Sequence, residues 1–147
     1  MNDRDVLLAT LHAKQAITEV LHRYCHAMDR IDHELGYQVW HPDGTADYEG
    51  VFQGTGRGFV DWVLDQHRTF DGTSHQVTNI QIDVAGDEAT SEAYVTACNR
   101  KGDQDWVIRA RYIDTWSCRE GEWRIGARRC VQDLIHMVPV VQLPSSS

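Results

Sequence analysis

The sequence predicts an α+β fold in which helices come first along the chain and a mostly antiparallel sheet follows. Apolar residues recur at helical spacing as far as about residue 70, and at every second position from residue 75 onward. Runs of helix followed by runs of strand indicate α+β, not a wound parallel sheet. With 147 residues, the chain has the length of one domain with a sizeable core. We therefore expect a single domain over residues 1–147.

Residues 5–34 form the first predicted helix, because neither glycine nor proline occurs before Gly36. Asp29 lies at the margin of its apolar face, although removing a carboxylate from water is costly. A helical wheel places it about 120° from the centre of that face. Periodicity alone therefore leaves open an exposed pair with His33 or with a neighbouring Arg. The apolar face consists of Ile17, Val20, Leu21, Tyr24, Met28 and Ile31.

A turn-rich segment, residues 41–54, follows and contains a short extended piece around Tyr48–Phe52. The second helix is predicted over residues 56–70, where glycines introduce it and the sequence FDGTS ends it. The remaining pattern predicts four strands joined by short turns. These strands span residues 75–84, 89–100, 106–119 and 123–134.

A long, strongly twisted antiparallel sheet with helices on one face would curl into a half-open cone. Such a cone encloses an apolar cavity suited to a small molecule. The C-terminal tail from about residue 138 could cover the mouth of this cavity or contact a neighbouring subunit. The pattern does not choose between these two roles.

Composition excludes several classes of protein. The formal net charge of −8 argues against a nucleic-acid-binding face. No run of 18 or more apolar residues occurs, so we expect no membrane span. The N-terminus has no secretion-signal pattern, and the four cysteines form no CxxC pair. We therefore expect reduced thiols in a cytoplasmic protein.

Two residues have both a catalytic and a purely structural interpretation. On the first long strand, His75, Val77 and Asn79 should point to one side and Ile80 to the other. If the Val77 side faces the cavity, His75 faces it too; otherwise His75 is a core-edge histidine bonded to a backbone carbonyl. Tyr24 lies near the middle of the first helix face, as a site residue or as a core tyrosine with a satisfied hydroxyl.

A metal site has little support in the sequence. His22 and His26 lie one helical turn apart and could share a metal. The intervening glutamate of zinc proteases is missing, and both histidines project away from the apolar face. A solvated helix face is the better interpretation, and we expect no metal.

Four segments of the chain match a known family: AITEVLHRYCHAMDR (16–30), HQVTN (75–79), RYIDTW (111–116) and GEWRIGARR (121–129). On these segments, and over about residues 5–135, the chain resembles the SnoaL-like division of the NTF2-like superfamily. Within it, the chain is similar to the branch with scytalone dehydratase, bile-acid 7α-dehydratase and lindane dehydrochlorinase. The resemblance implies an NTF2-like cone, but this superfamily hosts isomerases, hydrolases, cyclases and plain binding domains.

The resemblance assigns roles to three residues. In the lyase members, an Asp late in the first helix pairs with a His that opens the third strand, which matches Asp29 and His75. The bile-acid dehydratase has a catalytic Tyr five residues before its Asp, which matches Tyr24. The dehydrochlorinase has a Lys at that position, so this chain departs from the pattern linked to chloride departure.

The resemblance also implies substrate-binding positions. A cavity arginine of the family matches Arg128, whose alternative is a sheet-surface arginine, with adjacent Arg129 pointing the opposite way. Ile108 and Tyr112 match lining positions of the dehydrochlorinase pocket, and their alternative is the core. The paired tyrosines with which the scytalone enzyme holds water have no clear match.

These residues together predict an elimination. An imidazole titrates near neutrality, and a carboxylate on its second nitrogen fixes the tautomer. We therefore expect a cofactor-independent dehydratase-type lyase acting on a small, largely apolar hydroxylated substrate. His75 and Asp29 would act as base and Tyr24 as donor to the departing oxygen. A ketosteroid-isomerase-like isomerase, a non-catalytic binding domain and an interaction module remain open. By resemblance, we expect a homo-oligomer, either trimer or dimer.

Overall fold

The computed structural model describes residues 1–141. Its six strands form one open sheet in the order β2-β1-β6-β5-β4-β3. Neighbouring strands are antiparallel except for β1 and β6, which are parallel. The prediction of helices followed by a curved, mostly antiparallel sheet is confirmed. The elements are α1 (Asp3–Arg30), α2 (His33–Gln38), β1 (Trp40–Tyr48), β2 (Phe52–Thr55), α3 (Gly56–His67), β3 (Gly72–Ala85), β4 (Glu88–Lys101), β5 (Gln104–Arg119) and β6 (Glu122–Pro139).

Helix α1 is capped at both ends by its own sequence. The side chain of Asn2 accepts the backbone N–H of Asp5 at 2.9 Å, which satisfies one free donor of the first turn. At the other end, Ile31 has φ 53°, a left-handed conformation that β-branched residues rarely adopt. The predicted helix 5–34 therefore ends at Arg30, and Asp32 caps the separate helix α2. Asp29 consequently lies in the last turn of α1.

The segment after α2 differs from its prediction. Trp40–Tyr48 forms strand β1, and Tyr48 pairs with Phe52 across a tight turn, so the extended piece predicted around Tyr48–Phe52 is wrong. Pro42 and Gly44 resemble turn residues, yet they lie within the strand. The pairing of β1 with β6 shifts between Trp40 and Thr45, and such irregularities accommodate a proline in a sheet.

Strand β3 contains a β-bulge that reverses its alternation. Thr78 pairs with Tyr94 and Gln81 with Glu92, so β3 has one residue more than its partner across this interval. Asn79 provides the extra residue with φ 51°, a conformation that asparagine tolerates. Strict alternation places the side chains of Ile80 and His75 on different faces of the sheet, and this expectation is wrong. Ile80 and Val77 both pack against the core.

The core lies between the concave face of the sheet and helices α1 and α3. Gly56 starts α3 in contact with the buried ring of Trp40. A Cβ atom on Gly56 would lie 2.1 Å from Cε3 of that ring, so only glycine fits there. This contact fixes the start of α3, which ends at His67 instead of the predicted residue 70.

The start of the predicted tail belongs to the sheet, because β6 runs to Pro139. Residues 142–147 of the tail lie outside the described residues. Within residues 1–141, no helix is long and apolar enough to cross a membrane. All four cysteines are free thiols. His22 and His26 are exposed, as a solvated helix face predicts.

Candidate active site

The concave face of the sheet, α1 and α3 enclose a cavity of about 370 Å³. This volume lies within the range of small-molecule binding sites. Ile108 and Tyr112 line the cavity, and so do His75 and Tyr24. The apolar wall includes Met28, Phe59, Trp62, Val63, Val95 and Ala110.

Asp29 holds His75 by two hydrogen bonds. The ring Nδ1 lies 2.6 Å from Oδ1 of Asp29, and the backbone N–H of His75 donates to Oδ2 at 3.0 Å. Only 8% of the His75 side chain and 20% of the Asp29 side chain are exposed. A carboxylate accepts but does not donate, so Nδ1 carries a proton, and the lone pair of the neutral ring is on Nε2. The arrangement can therefore present a neutral imidazole base.

The pair also borders a second space. Between α1 and β3, Asp29 and His75 line a groove of about 350 Å³ together with the exposed His22 and His26. His75 is the one residue of this pair that lines both the groove and the apolar cavity. The ring of His75 is thus part of the wall between the two spaces.

Two tyrosine hydroxyls meet at the opposite end of the cavity. The hydroxyl oxygens of Tyr24 and Tyr48 lie 2.6 Å apart, and Nη1 of Arg128 donates to the Tyr48 oxygen at 3.3 Å. If the Tyr48 hydroxyl donates this hydrogen bond to the Tyr24 oxygen, the Tyr24 hydroxyl can donate its own hydrogen to a ligand in the cavity. Burial is the largest cause that raises the pKa of Tyr24, to about 12, although Arg128 opposes it. At cellular pH, Tyr24 is a hydrogen-bond donor.

Arg128 lies behind these rings, where its charge is compensated. Its Nε and Nη2 donate to the two carboxylate oxygens of Asp114, both at 2.8 Å, and neither side chain is exposed. The guanidinium carbon lies 3.8 Å from the centre of the Tyr112 ring and 4.5 Å from that of Tyr24, as in cation–π contacts. Arg128 does not line the cavity, so it lies behind the position that direct substrate binding would require. Arg129 points the other way and bonds Glu49 at the surface.

Burial also shifts the pKa values of the residues around Tyr24. It is the largest cause that raises the pKa of Tyr48 and of Tyr112 well above the usual tyrosine value. Burial alone would lower the pKa of Arg128, but Asp114 and the tyrosines raise it above its usual value. Three protonated phenols therefore line this end of the cavity, and one permanent cation, Arg128, lies behind them.

Sequence reasoning missed two residues of this cluster of tyrosines and Arg128, namely Tyr48 and Asp114. Tyr48 lies in the segment predicted to be turn-rich, where no periodic signal marks an inward side chain. Asp114 had a signal, because it follows Tyr112 by two positions on a strand and therefore points to the same face. A buried carboxylate two residues after a lining position predicts a buried cation nearby.

His67 is a further residue that spacing arguments did not select. Its Nδ1 lies 3.2 Å from the backbone oxygen of Met28, and its ring centre lies 5.4 Å from that of His75. It lines the same cavity. The available signal was its helical spacing from Leu64 and Val63, which places it on the apolar face of α3.

The described residues contain no group of three or more His, Cys, Asp or Glu side chains arranged to hold a metal ion. The polar groups that line the cavity are two histidines, a phenol cluster and the amides of Gln66, Asn99 and Gln132, and the Asp29 carboxylate lies behind His75. These groups can accept a proton at one place and donate a hydrogen bond at another. This combination serves both elimination and double-bond migration.

The SnoaL-like domain model matches residues 9–129, and the chain belongs to this family. Its structure is similar to that of a putative scytalone dehydratase from Novosphingobium aromaticivorans, at 25% identity and a TM-score of 0.79, over 94% of this chain and 97% of that chain. It is also similar to a type 2 hexachlorocyclohexane dehydrochlorinase, LinA, at 18% identity and a TM-score of 0.79, over 95% and 97%. The second likeness is one of fold. No curated protein matches the sequence. The predicted branch of the superfamily is confirmed.

Proposed function

We propose that this SnoaL-like protein is a cofactor-independent lyase that removes water from a small, largely apolar hydroxylated substrate. The fold and family support the coarser class of small-molecule lyases and isomerases. The observation that carries the finer proposal is the double hydrogen bond between Asp29 and His75 at the cavity wall. Tyr24 in place of the dehydrochlorinase lysine favours departure of an oxygen over departure of chloride.

In the proposed reaction, Nε2 of His75 takes a proton from a substrate carbon. The electron pair of that C–H bond forms the new double bond while the neighbouring C–O bond breaks. The departing oxygen takes a proton from the Tyr24 hydroxyl and leaves as water. Asp29 stabilises the imidazolium through Nδ1–H, and Arg128 lies close to the developing phenolate. Return of the proton from His75 to Tyr24 restores the resting state.

The substrate-binding part of the proposal assigns contact to Ile108 and Tyr112 and positioning to Arg128. The guanidinium contacts the rings of Tyr24 and Tyr112 and donates to the Tyr48 hydroxyl. It thereby fixes where the phenols point. Its effect on a substrate would be transmitted through these phenols.

An isomerase is the second candidate, and the paired phenols favour it. The Tyr24 hydroxyl, which accepts the hydrogen of Tyr48, would donate its own hydrogen to an enolate oxygen while His75 moves a proton between carbons. The two candidates differ in their products, since elimination loses one water and isomerisation loses no mass.

The proposal is tested with a panel of hydroxylated steroids, terpenoids, polyketides and phenolic compounds, with products detected by mass spectrometry. For a compound that loses water, His75→Ala and Asp29→Asn should each lower kcat/KM by about 100-fold or more. His26→Ala is the matched control, since this exposed histidine borders the outer groove and should leave the rate unchanged. Unchanged activity in both dyad variants would overturn the mechanism. A ligand bound and recovered unchanged would favour a binding domain.

We also propose that the chain forms a homo-oligomer. Leu134, Ile135 and Met137 are more than half exposed near the end of β6, which supports a covered surface in an assembly. Light scattering at several protein concentrations tests this expectation. A monomer at all concentrations would contradict it.

A further inference from the structure

Two residues with hydrogen-bond acceptors line the cavity without serving as the proposed base or acid. His67 is 6% exposed, and among the described residues its Nε2 has no hydrogen-bond partner. Asn99 is 8% exposed, and its Oδ1 is enclosed without a partner in residues 1–141. Both residues line the cavity that contains His75. An enclosed acceptor without a donor destabilises the folded state, so Oδ1 of Asn99 requires an explanation, whereas Nε2 of His67 is not enclosed in this way.

The hydrogen bond of His67 determines which of its nitrogens faces the cavity as an acceptor. The backbone oxygen of Met28 can only accept, so Nδ1 of His67 carries the hydrogen. Nε2 therefore has a lone pair and no hydrogen. Burial, followed by the neighbouring His75, lowers the pKa of His67 to about 4, so the ring stays neutral at cellular pH. His67 is thus a fixed acceptor and not a second base.

The register of the sheet places the Asn99 acceptor away from the phenols, while the His67 ring centre lies 5.4 Å from that of His75. Along β4, Ala97 pairs with His75, and Asn99 is the next residue on the same face towards the strand's end. In the other direction, Ala93 pairs with Tyr112. Measured along β4, His75 therefore lies between the acceptor Asn99 and the donor phenols. The cavity has hydrogen-bond donors at one end and acceptors at the other.

We propose that His67 and Asn99 form a subsite for a second hydroxyl group of the substrate. The hydroxyl would donate to Nε2 of His67 or Oδ1 of Asn99, while the departing oxygen meets Tyr24. The substrate class is then an apolar ring skeleton with two oxygen functions on opposite sides of the carbon that loses its proton. The inference rests on the proposed function for the choice of cavity and for the position of the departing oxygen.

A binding experiment with two unreactive probes tests this subsite. The probes are 2-naphthol, which has a hydroxyl donor, and 2-methoxynaphthalene, which has the same ring and no donor. The wild type should bind 2-naphthol more tightly by about fivefold, the worth of one hydrogen bond. His67→Phe and Asn99→Leu should each reduce this preference. Gln81→Leu is the control, because Gln81 is an exposed amide of β3 that does not line the cavity and should leave the preference unchanged.

Nuclear magnetic resonance of the wild type with ¹⁵N-labelled histidine gives a readout that does not depend on folding of the variants. The unprotonated Nε2 signal of His67 should move upfield with 2-naphthol and not with the methyl ether. Equal affinity for the probes, binding of neither, or a preference that survives both substitutions would overturn the subsite. The test needs no turnover. A failed subsite with intact elimination would leave the lyase proposal standing, and a retained preference without elimination would leave the subsite standing.

Discussion

The two ends of the cavity satisfy their polar groups in opposite ways. At the phenol end, Arg128 meets Asp114 and Tyr48, and Tyr48 meets Tyr24, so the polar side chains are paired inside the protein. At the histidine end, His67 and Asn99 present acceptors without partners among the described residues. A closed network of this kind fixes geometry, whereas an incomplete one leaves bonds for a ligand. The contrast predicts that substitutions at the phenol end weaken folding and those at the histidine end weaken binding.

The largest effect on stability is expected from Asp114→Asn. It leaves the charge of Arg128 buried without its counter-ion, which should lower the free energy of unfolding by about 3–5 kcal/mol. Urea unfolding measures this loss. Asp133→Asn is the matched control, because Asp133 pairs with Arg111 at the surface and should change stability by about 1 kcal/mol or less. Equal losses in the two variants would remove the distinction between buried and exposed pairs.

Acid should weaken folding through His67 by a smaller amount. Its pKa is about 4 in the folded protein against 6.5 for the ordinary group, so the unfolded chain binds the proton more readily. The contribution is fully present above pH 6.5 and is lost as the pH falls towards 4, by roughly 3 kcal/mol. Unfolding measured between pH 8 and pH 4 should show a flatter profile for His67→Phe. Identical slopes in the variant and the wild type would contradict this origin.

Removing one hydroxyl of the closed network has an intermediate effect. Tyr48→Phe leaves the Tyr24 hydroxyl without its internal partner and Arg128 with one unused donor. We expect a loss of about 1–3 kcal/mol in the free energy of unfolding. Tyr94→Phe is the control, since the ring is half exposed and its loss should be negligible. A Tyr48→Phe protein as stable as this control would show that the phenol pair is not a structural bond.

The smallest effect, and the one of opposite sign, is expected at the histidine end. Asn99→Leu removes an enclosed acceptor that has no partner and keeps a similar volume. Stability should be unchanged or higher by about 1 kcal/mol, while the preference for a hydroxylated probe falls. Thermal unfolding of the same sample used for binding checks both. A clear loss of stability would mean that Asn99 has a structural partner after all.

The sequence predicted the order of elements because periodicity depends only on local alternation of apolar residues. It did not predict the bulge at Asn79, since Thr78 and Asn79 are both polar and an extra polar residue leaves no mark in the pattern. Strand β1 was missed because Pro42 and Gly44 read as turn residues. The resemblance brought Asp29 to His75, and the structure places them within hydrogen-bonding distance.

The environment of Arg128 needed information that no local pattern contains. Asp114 and Arg128 are cross-strand partners of β5 and β6, so their pairing depends on the register of the two strands. That register shifts between Thr115 and Trp116. Counting along either strand therefore fails to place the two side chains opposite each other.

The bulge at Asn79 has a consequence for how this protein can change in length. It divides β3 into a half that presents His75 to Asp29 and a half that packs Ile80 and Val84 against the core. A residue inserted or deleted between His75 and Thr78 would exchange the inward and outward faces and separate His75 from the cavity. The bulge already absorbs one extra residue without either loss. A segment that contains His75 and is transferred into a related protein should therefore be joined at Asn79. At that residue, the inward and outward alternation of one half of β3 does not determine the alternation of the other half.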